Sequence, residues 1–332
     1  MTEPLYDVVA IGNAIVDIIG RCDDAFLAKH GAPKGHMRLV DAETISSLYT
    51  AMGPAIEISG GSAANTMVGV TSFGGKAAFI GKVAGDEFGR IFRHDIEAAG
   101  VKFETRAVHG RAPTSRSLIL VTPDGERTMN TFLGISTELD GGEVDPALIH
   151  ASGIVYLEGY LFDRPEAKSA FREAVSIAKG AGRKVALTLS DGFCVGRHRA
   201  EFLDLIKSGI DILFANESEI TSLYETTNFD DAARRAAADV PLAALTRSAA
   251  GSLIYCKGAV TSVPANPVAR VIDTTGAGDL YASGFLFGLT RGANMETCGR
   301  LGSLAASEII SHVGARPETS LRGLAAQQGL KA

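Results

Sequence analysis

Short apolar runs alternate with helix-length amphipathic stretches through the second half of this 332-residue chain, and that rhythm restricts the fold more than any other feature. Ile154-Val155-Tyr156-Leu157 precedes an expected helix from Arg164 to Ala181. Val185 to Leu189 precedes one from Ala200 to Lys207, and Ile210 to Phe214 precedes one from Glu217 to Tyr224. Leu242 to Thr246 is a further run of the same kind. Short buried strands separated by helices belong to a mostly parallel central sheet covered by helices on both faces. The fold class is therefore α/β. A chain of this length, 46% apolar, can bury one large core and carry a smaller attachment.

Two regions break the rhythm. Ser117 to Thr122 runs into Pro123-Asp124-Gly125 and then Glu126 to Asn130, two extended arms around a turn-forming triplet. Ala14 to Ile19 and Met37 to Val40 also read as extended pieces. The expectation is a small β-rich lid from residues 14–56 and 108–136, inserted in an α/β core of residues 1–13, 57–107 and 137–332. The tail Gln327 to Ala332 is expected to fray.

Charge and cysteine usage exclude several function classes. The net charge is −6 with no long basic run, which argues against a nucleic-acid partner. No stretch approaches the roughly 20 apolar residues of a membrane span, and Met1 to Asp7 lacks the regions of a secretory signal. The expected location is the cytoplasm. Cys22, Cys194, Cys256 and Cys298 lie far apart, so neither zinc-site spacing nor a disulfide framework is expected.

Val271-Ile272-Asp273-Thr274-Thr275-Gly276-Ala277-Gly278-Asp279 leads into the apolar stretch Leu280 to Leu289, a sequence that reads as strand end, glycine turn and helix. Glycines let the backbone approach a ligand, and a helix start offers unpaired N–H groups to an anion. Asp279 falls in the first helical turn beside that cradle. Phosphoryl transfer needs positioning, charge stabilisation and one group to take the hydroxyl proton. An ordinary helix start has the same composition, and spacing alone does not separate the two readings.

Asp273 to Asp279 resembles, residue for residue, the second signature of the PfkB, or ribokinase-like, carbohydrate and nucleoside kinases. The first signature also has a counterpart, in Gly60-Gly61-Ser62-Ala63-Ala64-Asn65-Thr66, Phe73-Gly74-Gly75, Gly81-Lys82-Val83 and Gly85 to Gly89. The resemblance spans essentially the whole chain. It implies that Asp279 is the catalytic base and that Gly276, Ala277 and Gly278 supply the backbone N–H groups of an anion hole. Asn13 and Asp17 fall where the family binds the acceptor, Asp17 on the sugar's secondary hydroxyls. Gly60, Gly61 and Asn65 join them, and Arg127 corresponds to a basic lid residue that approaches phosphate.

On the ATP side, the resemblance implies that Asn216 and Glu219 position phosphate and Mg2+, Glu219 through water. Asn with Glu three residues later is equally a helix capping box. Thr246 and Gly251 match a turn near the nucleotide phosphates, where Ser248 replaces a family glycine and puts close backbone approach in doubt. Asp273 and Thr275 match positions of a monovalent-cation site, K+ in many members, which Ser311 to Pro317 would complete. ATP and Mg2+ are the implied co-reactants.

Gly12-Asn13 followed by Asp17, and the ending Val313-Gly314-Ala315-Arg316-Pro317, look like the adenosine-kinase branch. The expected reaction is transfer of the γ-phosphate to the 5′-hydroxyl of adenosine, giving AMP, with Met37, Leu39, Phe132 and Leu133 available to flank a purine. The alternatives are a sugar kinase of the ribokinase or fructokinase type and a non-catalytic nucleoside-binding protein on the same fold. The expected partner is a small nucleoside or sugar, with the chain a monomer or homodimer.

Overall fold

The computed structural model describes residues 3–331. The chain opens in β1 (Tyr6–Ile11) and passes at once into β2 (Ile15–Arg21). Helix α1 (Asp24–Lys29), β3 (Met37–Leu39), α2 (Ala42–Ala51) and β4 (Ala55–Gly60) follow. Next come α3 (Ser62–Ser72), β5 (Ala77–Ile80), α4 (Glu87–Ala98), β6 (Lys102–Phe103), and the hairpin of β7 (Ser115–Val121) and β8 (Arg127–Phe132). The alternating half holds α5 (Pro146–His150), β9 (Ser152–Glu158), α6 (Pro165–Gly180), β10 (Lys184–Thr188) and α7 (Gly192–Gly209). It continues through β11 (Ile212–Asn216), α8 (Glu217–Leu223), α9 (Phe229–Asp239) and β12 (Leu242–Thr246). The hairpin β13 (Ser252–Cys256) and β14 (Ala259–Val263) precedes α10 (Ala277–Thr290), α11 (Met295–Ile309) and α12 (Leu321–Gln327).

The strands form a nine-stranded sheet in the order β14-β13-β12-β11-β10-β9-β1-β5-β6 and a five-stranded sheet in the order β3-β8-β7-β2-β4. Pairing in the large sheet is parallel from β12 through to β6 and antiparallel only at β12–β13 and β13–β14. Its two faces are covered by separate apolar clusters, one around Phe162, Phe171 and Phe202, the other around Phe79, Phe92 and Phe285. This is the ribokinase-like α/β architecture with a second, smaller sheet that the alternation and the hairpin predict.

The smaller sheet has two unlike faces, because side chains alternate along each strand. Val16, Ile18, Leu118 and Leu120 are buried against α1 and α2. On the other face the register aligns Asp17 with Ser117, and Ile19 with Ile119, Met129 and Met37. Residue 57, the expected edge of the inserted segment, falls inside β4, which pairs with β2 along its whole length.

Three local expectations change. Val271 and Ile272 join no strand, because the large sheet ends at β14; Ile272 N–H bonds Ile310 C=O at 2.8 Å. Phe132 lies across from Arg116, whose guanidinium sits 5.8 Å from its ring and 4.8 Å from that of Phe88, so it points away from Asp17. Near the C-terminus, Leu330 is buried in a small cluster with Ala325 and bonds its carbonyl at 2.9 Å, so this part of the tail is anchored; Ala332 lies outside the described residues.

Candidate active site

Parallel strands β1, β9, β10, β11 and β12 end at one edge of the large sheet, and the residues just past them converge there. Asn13 follows β1, Glu158 closes β9, Asp191 caps α7, and Asn216 and Thr246 end β11 and β12. Open α/β sheets bind ligands at this edge, where loops leave the sheet and helix N-termini point inward.

The turn before α10 has the expected form. Gly276 caps the helix with φ +79°, in the left-handed region, and a Cβ there would stand 2.9 Å from that of Ala315. A Cβ on Gly278 would meet nothing within 4 Å, so the space above the turn is open. The N–H of Ala277 turns back to Thr274 C=O at 3.2 Å, leaving those of Gly278 and Asp279 to open the first turn. Asp279 is held from α3: its Oδ1 accepts from Ser62 Oγ at 2.6 Å and its Oδ2 from Asn65 Nδ2 at 3.0 Å. Burial pushes its carboxyl up, against those two hydrogen bonds and the charge of Arg316. Asn65 Oδ1 is buried and lacks a donor.

Asp17 stands over the Gly60-Gly61 turn. A Cβ on Gly60 would lie 2.2 Å from Asp17 Oδ2, and one on Gly61, at φ +96°, 2.2 Å from Asn13 O. Both glycines are thus required by the close passage of β2 and the β1 exit. Burial pushes Asp17 up to about 6, opposed by Arg316 and Arg127 and reinforced by Asp279.

Sequence reasoning missed Glu158 and Tyr160 here and gave Arg316 no role of its own. Glu158 is buried; its Oε1 accepts from Asn13 Nδ2 at 2.7 Å and its Oε2 from Ala63 N at 2.8 Å. It ties the β1 exit to the start of α3, and burial pushes it up to about 7. A glutamate ending the apolar run Ile154 to Leu157 was the available signal, since carboxylates seldom enter a core without partners. Tyr160, just past β9, is 42% exposed, and partial burial followed by the charges of Asp279, Asp191, Glu219 and Glu158 pushes its phenol up. Arg316, named above only within the Val313–Pro317 ending, bonds Ser59 and Ala64 on either side of Gly60-Gly61 from the far end of the sequence.

Asn216 and Glu219 form a complete capping box. Asn216 Oδ1 accepts from Glu219 N at 2.9 Å, and Glu219 Oε2 accepts from Asn216 N at 2.9 Å. Glu219 Oε1 accepts from Asn216 Nδ2 at 2.6 Å, and burial pushes this carboxyl up to about 7, with Asp191 and Asp279 adding to the shift. No group of three or more metal-ligating side chains occurs among the described residues. A hydrated Mg2+ carried by phosphate, which needs few direct protein ligands, would fit this donor set.

At the end of β12, Arg247 N–H bonds Gly251 C=O at 2.7 Å around an exposed turn. Ser248 takes φ +49°, in the left-handed region that favours glycine, the residue the family pattern expects there. Gly251, at φ +82°, has no room for a Cβ, which would fall 2.1 Å from Val263 O.

Arg127 reaches from β8 of the smaller sheet to the large one. Its Nη1 donates to Asp273 Oδ2 and, at 2.7 Å, to Thr275 Oγ1. Asp273 also accepts from Thr275 N at 3.0 Å and Gly314 N at 3.0 Å. In this arrangement the guanidinium of Arg127 stands between Asp273 and Thr275, the two side chains expected to help hold a monovalent cation. Arg127 Nε and Nη2 are buried without partners.

A parallel α/β sheet of this order, with a second sheet facing its carboxyl edge, is the ribokinase-like class of kinase fold. Over residues 57–321 the chain matches the family described as pfkB family carbohydrate kinase, and it belongs to that family. A probable sugar kinase from Rhizobium etli CFN 42 is 50% identical over 99% of this chain and 100% of its own, with a TM-score of 0.92. The adenosine kinase from Sinorhizobium meliloti is 53% identical over 97% and 99%, with a TM-score of 0.90. A 5-dehydro-2-deoxygluconokinase from Shouchella clausii is 25% identical over 92% of this chain and 90% of its own. The protein is a phosphotransferase with an alcohol group as acceptor, a sugar or nucleoside kinase of a family that uses ATP with Mg2+.

Proposed function

We propose that the protein transfers the γ-phosphate of ATP to the 5′-hydroxyl of a purine nucleoside, adenosine in the first place, giving AMP. Asp279 takes the proton of the attacking hydroxyl, and its burial raises its affinity for that proton. Asp17 accepts from two vicinal ribose hydroxyls, and Gly60 and Gly61 let the sugar close on the backbone. Asn13 and the unpartnered Oδ1 of Asn65 orient the same ring. The N–H groups of Gly278 and Asp279, left open where that of Ala277 turns back to Thr274, face the transferred phosphoryl group, and the free Nε and Nη2 of Arg127 give it further donors. Mg2+, when bound, neutralises phosphate charge; Glu219, with Asn216, orients its waters, and Thr246 and Gly251 flank the phosphates. Seating the smaller sheet as a lid keeps water from the γ-phosphate.

The observation that carries the nucleoside reading is apolar surface left exposed at Tyr160 and at β3, on the Asp17 face of the smaller sheet and three strands from β2. Tyr160 is 42% exposed on one side, while Met37 at 55% and Leu39 at 59% are exposed on the facing sheet. A purine covers such surface, and stacking on an aromatic contributes about 1–3 kcal/mol. A free sugar offers only the smaller C–H face of its ring. The second reading, a sugar kinase, draws on the Asn13–Glu158 pair, whose polar floor suits an acceptor with more hydroxyls.

An ATP-consumption assay across adenosine, inosine, guanosine, D-ribose and D-fructose tests the proposal. Adenosine is expected to give the highest kcat/KM. A preference for ribose or fructose would reject the nucleoside reading, and no turnover with any of them would favour a non-catalytic binder.

A further inference from the structure

Asp279 and its two supports sit on different helices. Asp279 belongs to α10, whereas Ser62 and Asn65, which hold its carboxyl, belong to α3. Their geometry survives only if the start of α3 keeps its place against the Gly276 turn. Arg316 spans the two. Its own segment packs on that turn: Gly314 N–H donates to Asp273 at 3.0 Å, and a Cβ on Gly276 would press on Ala315. Its guanidinium donates away from the turn, from Nε to Ser59 C=O at 2.8 Å, from Nη1 to Ala64 C=O at 2.9 Å and from Nη2 to Ser59 Oγ at 2.8 Å. Ser59 and Ala64 bracket the Gly60-Gly61-Ser62-Ala63 stretch. Asp95 of α4 secures Ser59 from behind, accepting from its N–H at 2.8 Å and from its hydroxyl.

We infer that Arg316 is a positioning residue for the transfer, a rigid fork that sets the Asp17–Gly60 acceptor site and the Asp279 carboxylate at working distance from each other. A planar guanidinium can hold two carbonyls and a hydroxyl at once; a lysine ammonium on a flexible stem keeps the charge and loses that geometry. Asp95, Asp17 and Asp279 are the carboxyls that face it. The guanidinium of Arg316 bonds neither the turn at Thr246–Gly251 nor the Asn216–Glu219 box, so its loss is expected to act chiefly on the acceptor side.

The inference rests on the phosphotransferase activity and not on which acceptor is used. Wild-type enzyme is first assayed on adenosine, D-ribose and D-fructose, and the best of the three serves as probe, so a wrong acceptor assignment shows in that screen. Arg316→Lys and Ser59→Ala are then compared with wild type in MgATP. Because misplacement by about 1 Å costs on the order of 10²-fold, Arg316→Lys is expected to lose roughly that much in kcat/KM for the acceptor, shared between kcat and KM, with the KM for ATP unchanged. Ser59→Ala, which removes one of the three contacts, is expected to move the same parameters by roughly ten-fold and remains informative if Arg316→Lys does not fold. Hydrogen exchange gives a readout without turnover: amides of Gly61 to Asn65 should exchange faster in both variants. Unchanged acceptor kinetics in folded variants, parallel rises in both KM values, or faster exchange confined to residues 314–317 would overturn the inference.

Discussion

The two halves of the site are built differently. On the proposed acceptor side several polar groups are held by the protein, since Ser62 and Asn65 hold Asp279, Glu158 holds Asn13, and Arg316 holds Ser59 and Ala64, while Asn65 Oδ1 stays open. On the nucleotide side Asn216 and Glu219 bond mainly each other, and Ser248 to Ala250 form an exposed turn. Transfer to a hydroxyl depends on where the acceptor oxygen sits relative to its base, so preorganisation is concentrated there. The nucleotide, with its own charge and metal, can complete a looser half. Changes on the first half should therefore depress turnover, and changes on the second should be mild.

The largest effect is expected from Asp279→Asn, which keeps the shape of the side chain and removes its basicity. Turnover should fall roughly 10²–10⁴-fold, the range for a general base, with the thermal transition retained. Near-normal turnover would remove the contrast at its root. Arg127→Ala comes next. Without the guanidinium that joins the sheets, kcat should fall by about 10²-fold, the scale of losing one charge-stabilising donor. A loss confined to stability would make Arg127 a structural latch only.

Stability itself should vary with pH in a direction set by the crowded carboxyls. Asp17 is raised to about 6, and Glu158 and Glu219 to about 7, each chiefly by burial. A folded state that binds protons more tightly than the unfolded chain loses stability as pH rises through that interval. Unfolding of the ligand-free protein should thus require less heat at pH 8 than at pH 5.5, and Glu158→Gln should flatten the trend. Asp41, Asp86 and Asp124 are shifted down instead, so their contribution is lost in more acidic solution and does not mask it. A transition temperature that climbs steadily to pH 8 would contradict this. The smallest effect is expected from Ser248→Gly. Relieving the left-handed serine stabilises, greater freedom of the unfolded chain opposes, and the net change should stay within about 1 kcal/mol by denaturant unfolding. A larger loss would mean that the serine side chain makes a needed contact.

The contrast also explains what could be read from the chain alone. The parallel sheet and the hairpin of the smaller one are written as local periodicity and turn chemistry, and the strand bounds follow closely. The Thr275–Asp279 turn was legible because glycine conformation and helix start are local facts. Arg316 was not, because its partners Ser59 and Ala64 lie 257 and 252 residues away. Glu158 reaches Asn13 across 145 residues, and only its polarity in an apolar run hints at a role. Ser248 broke the family pattern without breaking the turn, since the backbone holds φ +49° at a cost in strain. The pairing of Arg127 with Asp273 and Thr275 was hidden for a different reason: each had a separate expected ligand, and only the seated sheet brings them together.

The central claim is that the exposed apolar surface at Tyr160 and β3, on the Asp17 face of the smaller sheet, selects a nucleoside over a sugar. Wild-type enzyme given equal concentrations of adenosine, D-ribose and D-fructose with limiting MgATP, and its products identified by mass spectrometry, tests it most directly. The account predicts that AMP accumulates first and takes most of the phosphate. Accumulation of ribose or fructose phosphate with adenosine left intact would contradict it.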